Sequence, residues 1–281
     1  MSKPIIYQLF PRYFANYNET RAYNGSKEEN GCGRFADINK RALKSIVDLG
    51  ATHVWYTGII RHATAQYNNP AITKGKAGSP YAITDYYDVD PDLAKNESKR
   101  MQEFESLVKR THEAGLGVLI DFVPNHVARE YKSVCKPEGV EDLGENDHPE
   151  WAFSPLNNFY YLPGERFTMD KDLQGYEEFP AKVTGNDCFT SHPSENDWYE
   201  TVKLNYGVFY QGGREKQFDP IPSTWTKMRD IILFWAGKGI DGVRVDMAEM
   251  VPVEFFQWAI AAVKKKHKKF LFIGECYDPT Q

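Results

Sequence analysis

An α/β fold organised on a parallel sheet is predicted by two regularities of this 281-residue chain. Short apolar runs rich in β-branched and aromatic residues alternate with stretches of helical periodicity, and three of those stretches end on a glycine just ahead of the next run. Strands alternating with helices that return the chain in one direction make parallel βαβ units, in an open sheet or a closed barrel.

The apolar runs are Ile5–Phe10, His53–Gly58, Val118–Val123, Gly242–Met247 and Phe270–Glu275, which read as five strands. The helical stripes between them are Ile38, Ala42, Ile46 and Leu49; then Met101, Phe104, Val108 and Thr111; then Trp225, Met228, Ile232 and Trp235. Gly50, Gly115 and Gly239 follow these stripes, as left-handed C-terminal caps require. A fourth helix, from Pro252 to about Lys266, ends on lysines that complement its dipole. The rhythm breaks after the third strand, where about 100 residues precede the helix near Thr224, far beyond the two to six of an ordinary βα loop. This stretch, dense in Trp, Tyr and Phe, reads as a small inserted domain. Leaving from a strand's C-terminal end, it overhangs the face where barrel enzymes keep their active sites.

Composition narrows the function classes. Hydrophobic residues at 41% and charged residues at 26% describe a folded globular chain. The formal net charge of −5 supplies no basic footprint for a nucleic acid, and the run Lys264 to Lys269 reads as a solvated helix end. No stretch approaches the 18 or so apolar residues of a membrane span. Cysteines at 32, 135, 188 and 276 lack paired spacing and are expected as free thiols. The start, Met1-Ser2-Lys3-Pro4, leads straight into an apolar strand without a leader-like segment, and a cytoplasmic location is expected.

Three strand ends carry unusual polar clusters: Asp121-Phe-Val-Pro-Asn125-His126, Gly242-Val-Arg244-Val-Asp246 and Gly274-Glu275. Charged groups at strand C-termini are what barrel catalysis uses. Arg244 and Asp246, two apart in a strand, share one side, and the guanidinium is expected to lower the Asp246 pKa and keep it ionised. Glu275 follows the apolar run Phe270–Ile273, an environment expected to raise its pKa as a general acid needs. If the two strands are neighbours they lie about 4.8 Å apart. Retaining glycosidases separate their two carboxyl groups by roughly 5 to 5.5 Å. No HExxH, CxxC or calcium-loop spacing marks a catalytic metal.

These clusters, in this order, resemble three signatures of the α-amylase family of glycoside hydrolases. Ile6-Tyr-Gln-Leu-Phe-Pro11 resembles the family's opening strand, Tyr81 with Asp85-Tyr86 the segment whose tyrosine stacks on the sugar being cleaved, and Val202-Lys-Leu-Asn205 the motif closing its inserted domain. The resemblance implies a (β/α)8 TIM-barrel type, truncated after the fifth strand, with an irregular inserted domain after strand 3. It assigns 1–123 and 224–281 to the barrel and 124–223 to the insert. It further implies a retaining double displacement on α-glucosidic bonds of starch, maltodextrins or related α-glucans. Asp246 would be the nucleophile and Glu275 the acid/base, while Tyr81, His126 and Arg244 would hold the substrate. The chemistry requires no cofactor, although Asn125 sits where many relatives help bind a structural calcium.

Two departures stand out. Met247-Ala248-Glu249-Met250 replaces the Lys-His or Asn-Glu pair that many members place after the nucleophile to contact sugars beyond the cut. The chain also ends at Gln281, ahead of the family's final aspartate signature, so the 281-residue piece alone is expected to be inactive. A non-catalytic binding or partner protein on the same barrel is the alternative; such proteins usually lose the carboxylates, which persist here.

Overall fold

A computed structural model describes residues 3–278. Its centre is a five-stranded sheet of β1 (Ile6–Leu9), β2 (His53–Tyr56), β3 (Gly117–Phe122), β4 (Gly242–Val245) and β5 (Leu271–Gly274), in sequential order and parallel throughout. Four helices connect them: α1 (Lys40–Asp48), α2 (Arg100–Glu113), α3 (Ser223–Gly237) and α4 (Val253–Lys266). Each expected strand and helix is present. Gly50, Gly115 and Gly239 all have positive φ, which a side chain would strain, and so let each helix turn back into its strand.

Local chemistry sets the element limits. Asn39 caps α1 by accepting from the N–H groups of Arg41 and Ala42, so Ile38 lies outside the helix on a preceding 3₁₀ turn. The stripe that faces inward is Leu43 and Ile46, whereas Leu49, expected on it, is 71% exposed. On α2, Phe104, Leu107, Val108 and Thr111 are buried, and on α3 Trp225, Met228, Ile232 and Trp235. Phe35, Phe104 and Trp235 pack consecutively, one pair tilted and the next edge-to-face, with ring centroids 5.6 and 5.7 Å apart, and join the two helices. The Trp235 indole N–H donates to the carbonyl of Tyr86 at 2.8 Å.

That carbonyl belongs to an element that periodicity did not reveal. Between β2 and α2, residues Ile60–His62 pair antiparallel with Ile83–Val89, and every residue of the longer strand is buried. Asp85 and Asp88 interrupt its apolar pattern, and partners remote in sequence satisfy both. Asp85 accepts from the Ser133 hydroxyl and the N–H groups of Val134 and Cys135, while Asp88 pairs with Arg100 and Arg61.

The segment between β3 and α3 folds through short antiparallel pairings, chiefly His126–Ala128 with Thr201–Lys203 and Tyr161–Leu162 with Ala181–Lys182. It has a small core of its own around Tyr160, Phe167 and Val183. Val127, Phe159, Val202 and Leu204 instead join the main core, so the segment is packed onto the sheet as well as projecting from it. The edge strands β1 and β5 are only partly buried, in contrast to β3 and β4.

Phe104 is fully enclosed where α2, α3 and the 3₁₀ turn meet. Phe104→Ala is expected to destabilise the fold by about 3–5 kcal/mol, read as a lower urea midpoint with an unchanged slope.

Candidate active site

Arg244 sits one position from the end of β4, in register with Asp121 on β3. Its Nη1 donates to Asp246 Oδ1 at 2.8 Å and to Asp121 Oδ1 at 3.3 Å, and its Nη2 pairs with Glu275 Oε1. One guanidinium therefore grips three carboxylates from three adjacent strands. The rings of Trp55 and Tyr81 lie 5.1 and 5.5 Å from its central carbon and hold it by cation–π contact.

The two outer acids stand level with each other. Val245 and Gly274 are the last register pair of β4 and β5, and Asp246 and Glu275 follow them directly. Asp246 N–H still donates to Phe122 O at 2.8 Å and Glu275 N–H to Val245 O at 2.9 Å, which extends the ladder one step. Beyond Asp246 the chain reverses at Met247 in the left-handed region (φ 45°). This turn directs the Met247 N–H at Glu275 Oε2, 3.1 Å away. Asp121 is fixed from the other side by the N–H of Gly58 at 3.1 Å. Gly58 is required there, since its φ is +71° and a Cβ would collide with Phe10 and Pro80.

Protonation in this cluster runs opposite to the expectation from sequence. Burial pushes the Asp246 carboxyl up to about 7 despite the neighbouring Arg244, and pushes Asp121 up to about 6. Glu275 lies below the ordinary glutamate range. Burial, which would raise it, is outweighed by the Met247 N–H, the Tyr277 hydroxyl and Arg244. The reason is position. Asp246 is 5% exposed on an interior strand, whereas β5 is an edge strand and Glu275 reaches partly into solvent with donors on both oxygens. A single positive charge cannot offset three negative ones at this depth, so the proton affinity of Asp246 and Asp121 is raised.

Of the five residues singled out from sequence, four converge: Arg244, Asp246, Glu275 and Tyr81. His126 is not among the ion-pair and ring partners of Arg244; it is 4% exposed, lies edge-on to Trp198 at 5.2 Å and meets the backbone of Tyr81. Burial and the nearby Lys203 lower its pKa to about 3, so it is a neutral ring. Trp55, Gly58 and Tyr277 were not singled out. Their alternation and spacing are those of ordinary strand and loop residues, and only the register brings them to Arg244 and its partners.

Asn125, considered for calcium, accepts from Lys203 Nζ at 2.8 Å through its side-chain oxygen, and Lys203 also pairs with Asp187 at 2.5 Å. The Asn125 side-chain oxygen is thus committed to an amine, whose positive charge does not fit a divalent ion held by that atom. Asp85, Asp88 and Cys135 are the one group of ligand types that approach metal-binding distances among the described residues. The two aspartates are committed to the hydrogen bonds and ion pairs of the hairpin. The four cysteines are free thiols, and among the described residues no helix is long and apolar enough to cross a membrane.

The family model described as "Alpha amylase, catalytic domain" matches residues 8–280 of this chain. The chain belongs to that family. Within it, the chain is 26% identical to the alpha-1,4-glucan:maltose-1-phosphate maltosyltransferase of Cereibacter sphaeroides, over 92% of this chain and 35% of that one. It is 24% identical to Maltase 1 of Drosophila virilis, over 86% of this chain and 31% of that one. Among solved structures, an alpha-amylase from Lactobacillus plantarum superposes with a TM-score of 0.59 at 26% identity, covering 99% of this chain and 46% of that one. This member of the α-amylase family thus spans about a third of the length of these curated relatives and about half of that solved chain.

The raised carboxyls carry a stability consequence. A carboxyl whose folded pKa exceeds its unfolded value of about 3.9 destabilises the fold when ionised, fully above the folded pKa and not at all below the unfolded one. With Asp246 at about 7, stability from this group falls as pH rises from about 4 to 7. Asp246→Asn is expected to stabilise the protein by on the order of 1–3 kcal/mol at pH 8 and by progressively less towards pH 5. Thermal unfolding of both proteins across that range measures it; a pH-independent difference would contradict the assignment.

Proposed function

We propose that this chain carries the catalytic pair of a retaining glycoside hydrolase acting on α-glucosidic bonds of α-glucans, with Asp246 as nucleophile and Glu275 as acid/base. The observation that carries this reading is the shared guanidinium: Arg244 bonds both acids at once, from neighbouring strands, at the sheet's C-terminal edge. Neighbouring strands lie about 4.8 Å apart, close to the roughly 5 to 5.5 Å that a double displacement uses. The relatives' names point the same way, since maltase, amylase and maltosyltransferase all denote enzymes of α-linked glucose. In this reading the five parallel strands are one side of a (β/α)8 barrel.

In the first step the Asp246 carboxylate attacks the anomeric carbon while Glu275 gives its proton to the leaving oxygen; in the second, Glu275 takes a proton from water, which displaces Asp246. In the free site the raised proton affinity lies on Asp246 instead, and Glu275 is lowered. A glucosyl unit seated over Tyr81 removes water from Glu275, the more exposed acid, and raises its pKa. Because the two acids repel as anions, protonation of Glu275 makes ionisation of Asp246 easier, and the site reaches the distribution the chemistry needs. Arg244 keeps hydrogen bonds to both acids throughout. Tyr81 offers its ring to the sugar, and neutral, buried His126 holds the Tyr81 backbone.

With the full (β/α)8 barrel present, Asp246→Ala and Glu275→Gln are each expected to lower kcat on maltodextrin by about 10³-fold or more with folding intact, general acid assistance alone being worth about 10²- to 10⁴-fold. Proton NMR of the first-formed product is expected to show the α-anomer. Wild-type turnover in either variant, or a β-anomer, overturns the proposal. Structural calcium is not part of it, because Lys203 takes the Asn125 oxygen. A chelator is expected to leave the melting temperature unchanged, whereas Lys203→Ala lowers it by stranding Asn125 and Asp187, about 1–3 kcal/mol in stability.

A further inference from the structure

The four residues after Asp246 lie where a substrate contact was expected, yet Glu249 faces the protein's own chain. The left-handed turn at Met247 and the 3₁₀ turn Ala248–Met250 swing its carboxylate across to the exit of β5. There one oxygen, Oε2, accepts from the N–H of Tyr277 at 3.0 Å, the N–H of Asp278 at 2.8 Å and the Cys276 thiol at 3.3 Å. Two backbone amides converging on one carboxylate oxygen fix the direction in which residue 277 leaves the strand. From that backbone the Tyr277 hydroxyl donates to Glu275 Oε1 at 2.8 Å. The same turn supplies the Met247 N–H to the other oxygen of Glu275, and the Ala248 N–H to its carbonyl.

We propose that Glu249 is a positioning residue for the acid/base: by clamping the backbone at Tyr277 and Asp278 it holds the Tyr277 hydroxyl on Glu275 and so sets that carboxyl's proton affinity. The inference rests on the proposed role of Glu275 for its catalytic meaning, but not for its test. A hydroxyl donating to a carboxylate favours the charged form. Tyr277 therefore favours the ionised Glu275 from which the second half of the reaction starts, and disfavours the protonated form that the first half needs, until a bound sugar removes the surrounding water. Tyr277 is 71% exposed, so burial does little to orient it and the clamp and this bond matter more.

Removing Glu249 makes two effects compete with opposite sign. Loss of a nearby negative charge lowers the Glu275 pKa, whereas loss of the Tyr277 bond raises it. The chain labelled with carboxyl-¹³C glutamate is titrated by NMR, with Glu275→Gln identifying the resonance, so no turnover is needed. Tyr277→Phe is expected to raise the Glu275 midpoint by about 0.5–1 pH unit, roughly three- to tenfold in proton affinity. Glu249→Ala raises it too. Glu249→Gln, which keeps an acceptor oxygen while removing the charge, leaves it unchanged or lower. An unmoved midpoint in Tyr277→Phe, or a midpoint lowered alike by Glu249→Ala and Glu249→Gln, overturns the proposal. Full turnover in Glu275→Gln alongside the expected shifts would instead remove the catalytic reading and leave the clamp standing.

Discussion

The organising constraint of this molecule is one arginine shared among three acids. Arg244 points from an interior strand into a layer that also receives Asp121, Asp246 and Glu275, with Trp55 and Tyr81 against its faces. A buried guanidinium needs anionic partners and cannot lose its proton, so it fixes where carboxylates must stand. Its forked nitrogens then set the mutual arrangement of Asp246 and Glu275 better than flexible side chains could by themselves. Strand register, the Gly58 turn and the reversal at Met247 all deliver a group to this one hub.

The hub also explains why the two outer acids differ. They are similar groups at similar heights, but one lies inside the sheet and the other on its edge. Depth withdraws water from Asp246, whereas the edge leaves Glu275 open to solvent and to donors from Met247 and Tyr277. The proposed reaction needs its two acids to differ in proton affinity, and burial on unequal strands makes these two differ. A substrate that covers the edge changes that balance where the free protein is most exposed.

Around the hub, polar residues inside the fold serve its shape. Asp85 and Asp88 bind the hairpin to the insert and to α2, and Lys203 bridges Asn125 and Asp187 between β3's exit and the insert. These interactions join segments far apart in sequence, which is why the insert shares the main core at Phe159 and Val202 while keeping a second core around Tyr160 and Phe167. Asn125 and His126 thereby act as part of the seam.

Sequence by itself determined the strand and helix alternation, the glycine caps at 50, 115 and 239, and the polar clusters at three strand ends, because period, capping and turn chemistry are local. It also brought Arg244 and Asp246 to one side of a strand, since alternation is a local rule. It missed the hairpin at 60–62 and 83–89, whose buried aspartates are legible only once Arg100 and Ser133 are beside them. Tertiary structure alone decided that Asp246 is the deeper acid, that His126 is buried against Trp198, and that Glu249 faces its own chain. Each of these depends on desolvation or on a partner brought from a distant segment, and neither quantity exists until the sheet is assembled.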